Sequence, residues 1–220
     1  MPATGERLAS IGHSGIIRGR PMGGLEYAQW LLENNAVYAK AHRSNKKEYI
    51  MDILQLRNGM RTLRFHTVPT IHEETIGHHS GNVALLCLWL KPDASADLLR
   101  AALLHDLAEQ FTGDVPAPAK WSSQNLDNAL SELEEKHLRY MGVYMPMLTQ
   151  PWVGNLTEQD CLKAADMLDL VLRCTEERLM GNKQMWRVIE RGWDYLYGMN
   201  LGDRVWPKID QLIAEAADET

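Results

Sequence analysis

The stretch AALLHDLAEQFTGDVPAPAK, residues 101–120, is the part of the sequence that most limits what the chain can become. It begins as an apolar helix, with Leu99, Ala102 and Leu103 at core-like spacing. His105 and Asp106 then stand side by side where such a helix should stay apolar, Glu109 follows one turn later, and TGD with two prolines breaks the run. Burying an unpaired carboxylate costs on the order of several kcal/mol, so two of them at one helix end need a common compensator. On a helix, residues three and four apart are neighbours, so His105, Asp106 and Glu109 can all face one site. A divalent cation is the most economical compensator. Ion pairing with Arg64, Arg100 or Lys120 is the alternative.

The rest of the chain supplies a helical frame for that site. Helical spacing is expected over 25–41, then over 46–60 with Asn45 as a cap. The run 77–91 is apolar nearly all round and suits a helix at the centre of the domain. The helix 96–110, capped by Asp93 or Ser95, carries the opening stretch. An amphipathic helix near 126–141 presents Leu126, Leu130, Leu133, His137 and Tyr140. Thr157 with Asp160 reads as a capping box for a helix over 158–180 that stops at Gly181. Helices near 184–196 and 206–217 follow. No strand-like alternation of any length occurs, so the expected class is all-α: one bundle over residues 46–220, with residues 1–45 forming an amino-terminal arm and first helix. Residues 1–24, rich in glycine, read as an extended arm.

Composition removes several classes of function. A net charge of −6 argues against a nucleic-acid polymer as partner, which would need a basic surface. Cys87, Cys161 and Cys174 have no C-x-x-C spacing and read as reduced, mostly buried thiols. The longest apolar run, VALLCLWL at 83–90, is too short to span a bilayer, and the amino terminus has no apolar signal core. No membrane association and a cytoplasmic location are the expectations.

Further ligands for a cation must come from other helices. Five of the eight histidines, His66, His72, His78, His79 and His105, lie close together in the sequence. His79 shares a helical face with Val83, Leu86 and Leu90 and is the better nitrogen donor, whereas His78 points with Asn82 and Trp89. In KAADMLDL, Asp166 is flanked by Leu162 and Leu170. Asp169 has Arg173 at i+4 and is expected to be satisfied on the surface, which leaves Asp166 as the better ligand. Two imidazoles and two carboxylates suit one manganese, cobalt, zinc, magnesium or iron ion, with room for water.

The segments GHHSGNVALL, ALLHDLAEQFTGDVPAPAK and KAADMLDL together resemble the HD-domain phosphohydrolases. Within these, they are similar to the 5′-deoxynucleotidases and to related phage dATP triphosphohydrolases. The resemblance spans about residues 50–180, and the TGD-x-P-x-P-x-K tail is its specific part. It implies that His79, His105, Asp106 and Asp166 hold the metal and that Glu109 orients or deprotonates the attacking water. Asp114 would assist proton transfer or hold the sugar. The resemblance further implies that Arg64 grips phosphate, that Phe65 packs on the nucleoside where tryptophan is usual in the deoxynucleotidases, and that Lys120 meets phosphate as a point charge. The implied reaction is attack on the α-phosphorus of a small deoxynucleotide with departure of the 5′-oxygen. A homo-oligomer is the expected state, with the amino-terminal arm offering a contact or remodelling the pocket. Hydrolysis of guanosine tetraphosphate or of a cyclic nucleotide on the same scaffold is a second reading. A degenerate module that binds nucleotide without catalysis is a third, disfavoured by the presence of all four ligands and Glu109.

Overall fold

The structure is a computed structural model that describes residues 16–17, 20–21 and 53–218. The chain divides into two units, Met1–Glu48 and Tyr49–Thr220. In the first, β1 (Ile16–Ile17) pairs antiparallel with β2 (Arg20–Pro21), Ile16 opposite Pro21. The expected helix 25–41, the Asn45 cap, the start of the helix 46–60 and most of the arm lie outside the described residues.

The second unit is helical. Its described elements are α1 (Ile53–Gly59), α2 (Ile76–Leu90), α3 (Ala96–Leu104), α4 (Glu109–Thr112), α5 (Ala117–Ser122) and α6 (Gln124–Tyr140). After these come α7 (Glu158–Leu179), a 3₁₀ turn (Lys183–Met185), α8 (Trp186–Gly198) and α9 (Trp206–Asp218). Local side chains set the starts: Thr75, Ser95 and Ser123 accept from the backbone N–H groups of His78, Leu98 and Leu126. Of the two cap candidates for α3, Ser95 fills the position, and Asp93 instead pairs with Lys91 at 2.9 Å. The Thr157/Asp160 capping box opens α7, and Gly181, at φ 109°, turns the chain after it.

The main core is α7 packed against α2, α3 and α8 through Val83, Leu98, Ala102, Ala165, Leu168 and Leu196. All three cysteines are free and buried. The approach of α8 to α7 is close enough that a Cβ on Gly192 would lie 2.5 Å from Val171 Cγ2. A smaller core of Leu56, Leu104, Leu107, Ala108, Leu138 and Met141 sits under the segment after α3.

Three expectations need correcting. α2 is not covered all round: Leu85 is 66% exposed, and Leu88 and Trp89 are also exposed, because α3 and α7 cover only the face that carries His79, Val83 and Cys87. Leu103 likewise lies outside the core. On α6 the expected apolar face is largely at the surface, with Leu126, Leu133 and Tyr140 exposed. The helix is rotated so that Leu138 reaches the smaller core and Glu134 reaches Lys120 at 3.8 Å.

Buried carboxylates brace the frame, each with partners. Glu158 accepts from Ser95 N at 3.0 Å and Ser95 Oγ at 2.6 Å, joining α7 to the start of α3. Glu177 accepts from the backbone N–H groups of Ile71 and His72 at 2.7 and 2.9 Å, and pairs with Arg173 at 2.9 Å. It thereby ties the segment preceding α2 to α7.

Candidate active site

The expected helix 96–110 is interrupted. α3 ends at Leu104, and the chain tightens into i→i+3 bonds, Leu107 N to Leu104 O at 3.2 Å and Glu109 N to Asp106 O at 3.0 Å, before α4 resumes. The tightening turns Leu107 and Ala108 into the smaller core and leaves His105 and Asp106 on the side facing α2 and α7.

There the side chains of α2, α7 and the turn after α3 converge. His79 is fully buried on α2, and its Nδ1 lies 2.7 Å from Asp169 Oδ2 on α7. His105 Nδ1 lies 2.8 Å from the carbonyl oxygen of Ala102. A carboxylate and a carbonyl only accept, so Nδ1 carries a proton in both rings, and Nε2 is the atom each ring offers to a metal ion once the ring is neutral. These two Nε2 atoms face each other at 3.3 Å. Asp166 Oδ1 is 3.0 Å from His79 Nε2 and 3.9 Å from His105 Nε2, and Asp106 Oδ2 is 3.4 Å from both. Two ring nitrogens aimed at each other among carboxylates call for positive charge, which protons on the rings supply in the metal-free protein and a metal ion would supply in their place. One ligand atom each from His79, His105 and Asp166 lie within 4.8 Å of one another, which fits a metal ion.

In the metal-free protein the same carboxylates favour protons on the rings, which a bound cation would displace. Burial works against a charged His79, but hydrogen bonds to Asp106, Asp166 and Asp169 outweigh it and push the imidazole up to about 11. His105 is raised against its own burial by Asp106 and Asp166. Both aspartates stay well below the usual carboxylate range despite burial, held by the imidazoles.

Asp169 corrects the sequence reading. It is buried, not at the surface, because Arg173 turns away to Glu177 at 2.9 Å and Glu74 at 3.7 Å. The available signal was its i,i+3 spacing from Asp166 on one helix face. Carboxylates that orient a ligating histidine tune metal affinity 10–100-fold, roughly. Asp169→Ala is therefore expected to weaken metal binding by about that factor while leaving all four expected ligands in place, as metal titration of the purified variant would measure.

The remaining expected residues also gather here. Arg64 Nη1 donates to Asp106 Oδ2 at 2.7 Å, and its Nε lies 3.2 Å from Glu74 Oε2. No spacing in the sequence marks Glu74, since its contact with Arg64 forms only when the segment between α1 and α2 folds back. Phe65 has φ 57°, a left-handed conformation that costs a bulky residue about 1–2 kcal/mol. Its N–H donates to Asp114 Oδ2 at 3.0 Å, which fixes that conformation and ties the Arg64–Phe65 pair to the TGD turn. Lys120 lies 3.6 Å from Glu109 Oε1 and 3.8 Å from Glu134. Burial, then Asp106 and Asp114, push the Glu109 carboxyl up to about 8, and its Oε2 is buried with no hydrogen-bond partner. Ion pairing by Arg64 and Lys120 is thus present, but it leaves the two imidazoles and Asp166 without a cation. Arg100 pairs with Asp97 on the surface, away from this cluster.

A cleft of about 320 Å³ opens over the cluster. Asp106, Glu109 and Asp166 line it with Arg64, Asp114 and Lys120, and Phe65, Val115, Pro116, Leu170 and Val188 give it apolar walls. The family model for YfbR-like 5′-deoxynucleotidases matches residues 54–201, more than half of the chain. The chain belongs to the YfbR-like 5′-deoxynucleotidase family. Relatives with that activity in their names include a 5′-deoxynucleotidase of Vibrio atlanticus, 28% identical over 139 residues, 55% of this chain and 71% of the relative. Another is the 5′-deoxynucleotidase YfbR of Escherichia coli, 26% identical over 139 residues, 55% of this chain and 69% of the relative. The fold is similar to that of the cyanophage S-2L HD phosphohydrolase DatZ, solved bound to dA and one catalytic zinc ion. That likeness has a TM-score of 0.57 at 20% identity and covers 78% of this chain and 99% of DatZ. The matched YfbR-like region contains every residue placed at the cluster above, from Arg64 to Asp169. Among the described residues no helix is long and apolar enough to cross a membrane.

Proposed function

We propose that this YfbR-like chain is a metal-dependent phosphohydrolase that cuts the bond between the α-phosphorus and the 5′-oxygen of deoxynucleotides, releasing the deoxynucleoside and phosphate or polyphosphate. The observation that carries this reading is the pair of imidazole Nε2 atoms facing each other at 3.3 Å beside Asp106 and Asp166, two aspartates that line the cleft. His79, His105, Asp106 and Asp166 would hold one divalent ion. Such an ion, when bound, supplies a Lewis acid for water and for a phosphate oxygen.

The chain's own residues do the rest. Glu109 has a buried Oε2 with no hydrogen-bond partner beside the cluster, and in its ionised form, which a bound cation would favour, it takes the proton of the attacking water. Arg64, held by Glu74 and Asp106, offers a fixed guanidinium to the phosphate oxygens. Lys120 neutralises the same group from the rim and keeps Glu109 oriented. Phe65 and the Val115–Pro116 turn take the nucleoside and exclude water, and Asp114 fixes Phe65 in its left-handed conformation. In this reading residues 46–220 carry the activity and residues 1–45 are an accessory arm. The exposed Leu85, Leu88 and Trp89 on α2 support a homo-oligomer, the state in which such a face would be covered.

The test is a panel of ribo- and deoxynucleoside mono-, di- and triphosphates, with and without chelator, in ¹⁸O-labelled water. Deoxynucleoside is expected as the organic product, with the label in phosphate or polyphosphate and no turnover in chelator. Release of dNMP with pyrophosphate from dNTP would mean that a different bond is cut.

A further inference from the structure

We propose that Arg191, on α8, is a further substrate-binding residue that meets the phosphate oxygens of the nucleotide. The inference rests on the phosphohydrolase reading of the cleft. Arg191 lines that cleft together with Asp166, Met167, Val188, Arg64 and Lys120. Arg64 is tied to Glu74 and Asp106, and Lys120 lies between Glu109 and Glu134. Among the described residues Arg191 has no carboxylate partner, and its side chain is exposed to the cleft mouth.

The position of Arg191 is set by packing. The neighbouring Gly192 meets α7 so closely that a Cβ there would lie 2.5 Å from Val171 Cγ2 and 3.5 Å from Met167 Sδ. Helix α8 is thereby held against α7, one residue along from the Asp166 that faces both imidazoles. Arg191 emerges at that point.

Its chemistry fits a phosphate better than any other part of a nucleotide. Asp106, Asp114 and Asp166 line the cleft, more carboxylate charge than one divalent ion balances. Two of the three cations that line it are already engaged with carboxylates. A neutral base gains little from a permanent charge, whereas a phosphate dianion needs one. A guanidinium with no partner can also offer two parallel N–H donors to two phosphate oxygens.

The experiment compares wild type, Arg191→Ala and Arg191→Lys, all manganese-loaded, by calorimetric titration with inorganic phosphate and by steady-state kinetics on the four dNMPs. A thermal melt of each variant confirms the fold. Arg191→Ala is expected to weaken phosphate binding at least about tenfold, the usual worth of a hydrogen bond to a charged group. The KM should rise by a similar factor for all four bases while kcat changes little, and Arg191→Lys should recover part of the loss. Unchanged phosphate affinity in Arg191→Ala, or no measurable phosphate binding by wild type, would overturn the proposal. A loss confined to one base would also overturn it, by marking a base contact. If phosphate binding depends on Arg191 but no nucleotide is hydrolysed by wild type, the phosphate site stands and the phosphohydrolase reading fails.

Discussion

Asp106→Ala is expected to emerge from purification with almost no bound metal and to lose nucleotide hydrolysis by more than about 10³-fold, since the ion supplies several kcal/mol of charge stabilisation. The reason lies in how the carboxylate is shared. Asp106 Oδ2 stands 3.4 Å from both imidazole Nε2 atoms and 2.7 Å from Arg64 Nη1, so one substitution removes charge from the cation site and a clamp from the phosphate site. The fold should survive, because Arg64 keeps Glu74 at 3.2 Å and Leu104, Leu107 and Ala108 still fill the smaller core. Asp106→Asn serves as the second variant: it keeps the shape and one acceptor for Arg64 but removes the charge, and it should lose metal as well. Elemental analysis and a thermal melt read these outcomes separately from activity. Full turnover in metal-free Asp106→Ala would end the metal-dependent reading.

What the sequence made legible is what helical spacing decides. His79 and Asp166 stood out because each breaks an apolar face one turn from leucines or valines, and the Thr157/Asp160 box marks the start of α7 within four residues of sequence. The same local logic failed where a distant partner decides. Asp169 has Arg173 at i+4, yet that arginine is taken by Glu177 and Glu74, and the carboxylate turns inward to His79. Glu74 reaches Arg64 only after the segment between α1 and α2 folds back, which no spacing rule encodes. The break after Leu104 is another such case: propensity favours a continuous helix through AALLHDLAEQ, but burying both Leu107 and Ala108 in the smaller core requires the tighter turn. On α6 the spacing of Leu126 and Leu133 points to a buried apolar face, but Glu134 faces Lys120, Leu138 alone is buried, and both leucines are exposed.

Glu109→Gln should separate chemistry from binding. The variant is expected to keep its metal and its affinity for nucleotide, because Glu109 lies beside Lys120 and outside the trio of facing ligand atoms. Its turnover should fall about 10²- to 10⁴-fold, the usual contribution of a positioned general base. Stability gives a second, independent readout. Burial, then Asp106 and Asp114, raise this carboxyl in the metal-free protein from 4.5 to about 8. Between those values the folded state holds a proton that the unfolded chain has released, so folding stability falls as pH rises through that window. Glutamine cannot ionise, so the metal-free variant should lack this component of the decline and hold its melting temperature better than wild type toward pH 8. The amide also keeps the volume of the side chain, which leaves Lys120 with Glu134 and avoids a cavity beneath the cleft. Loss of metal from Glu109→Gln, with substantial rate restored on adding metal back, would make Glu109 a ligand and leave the water's proton to another group.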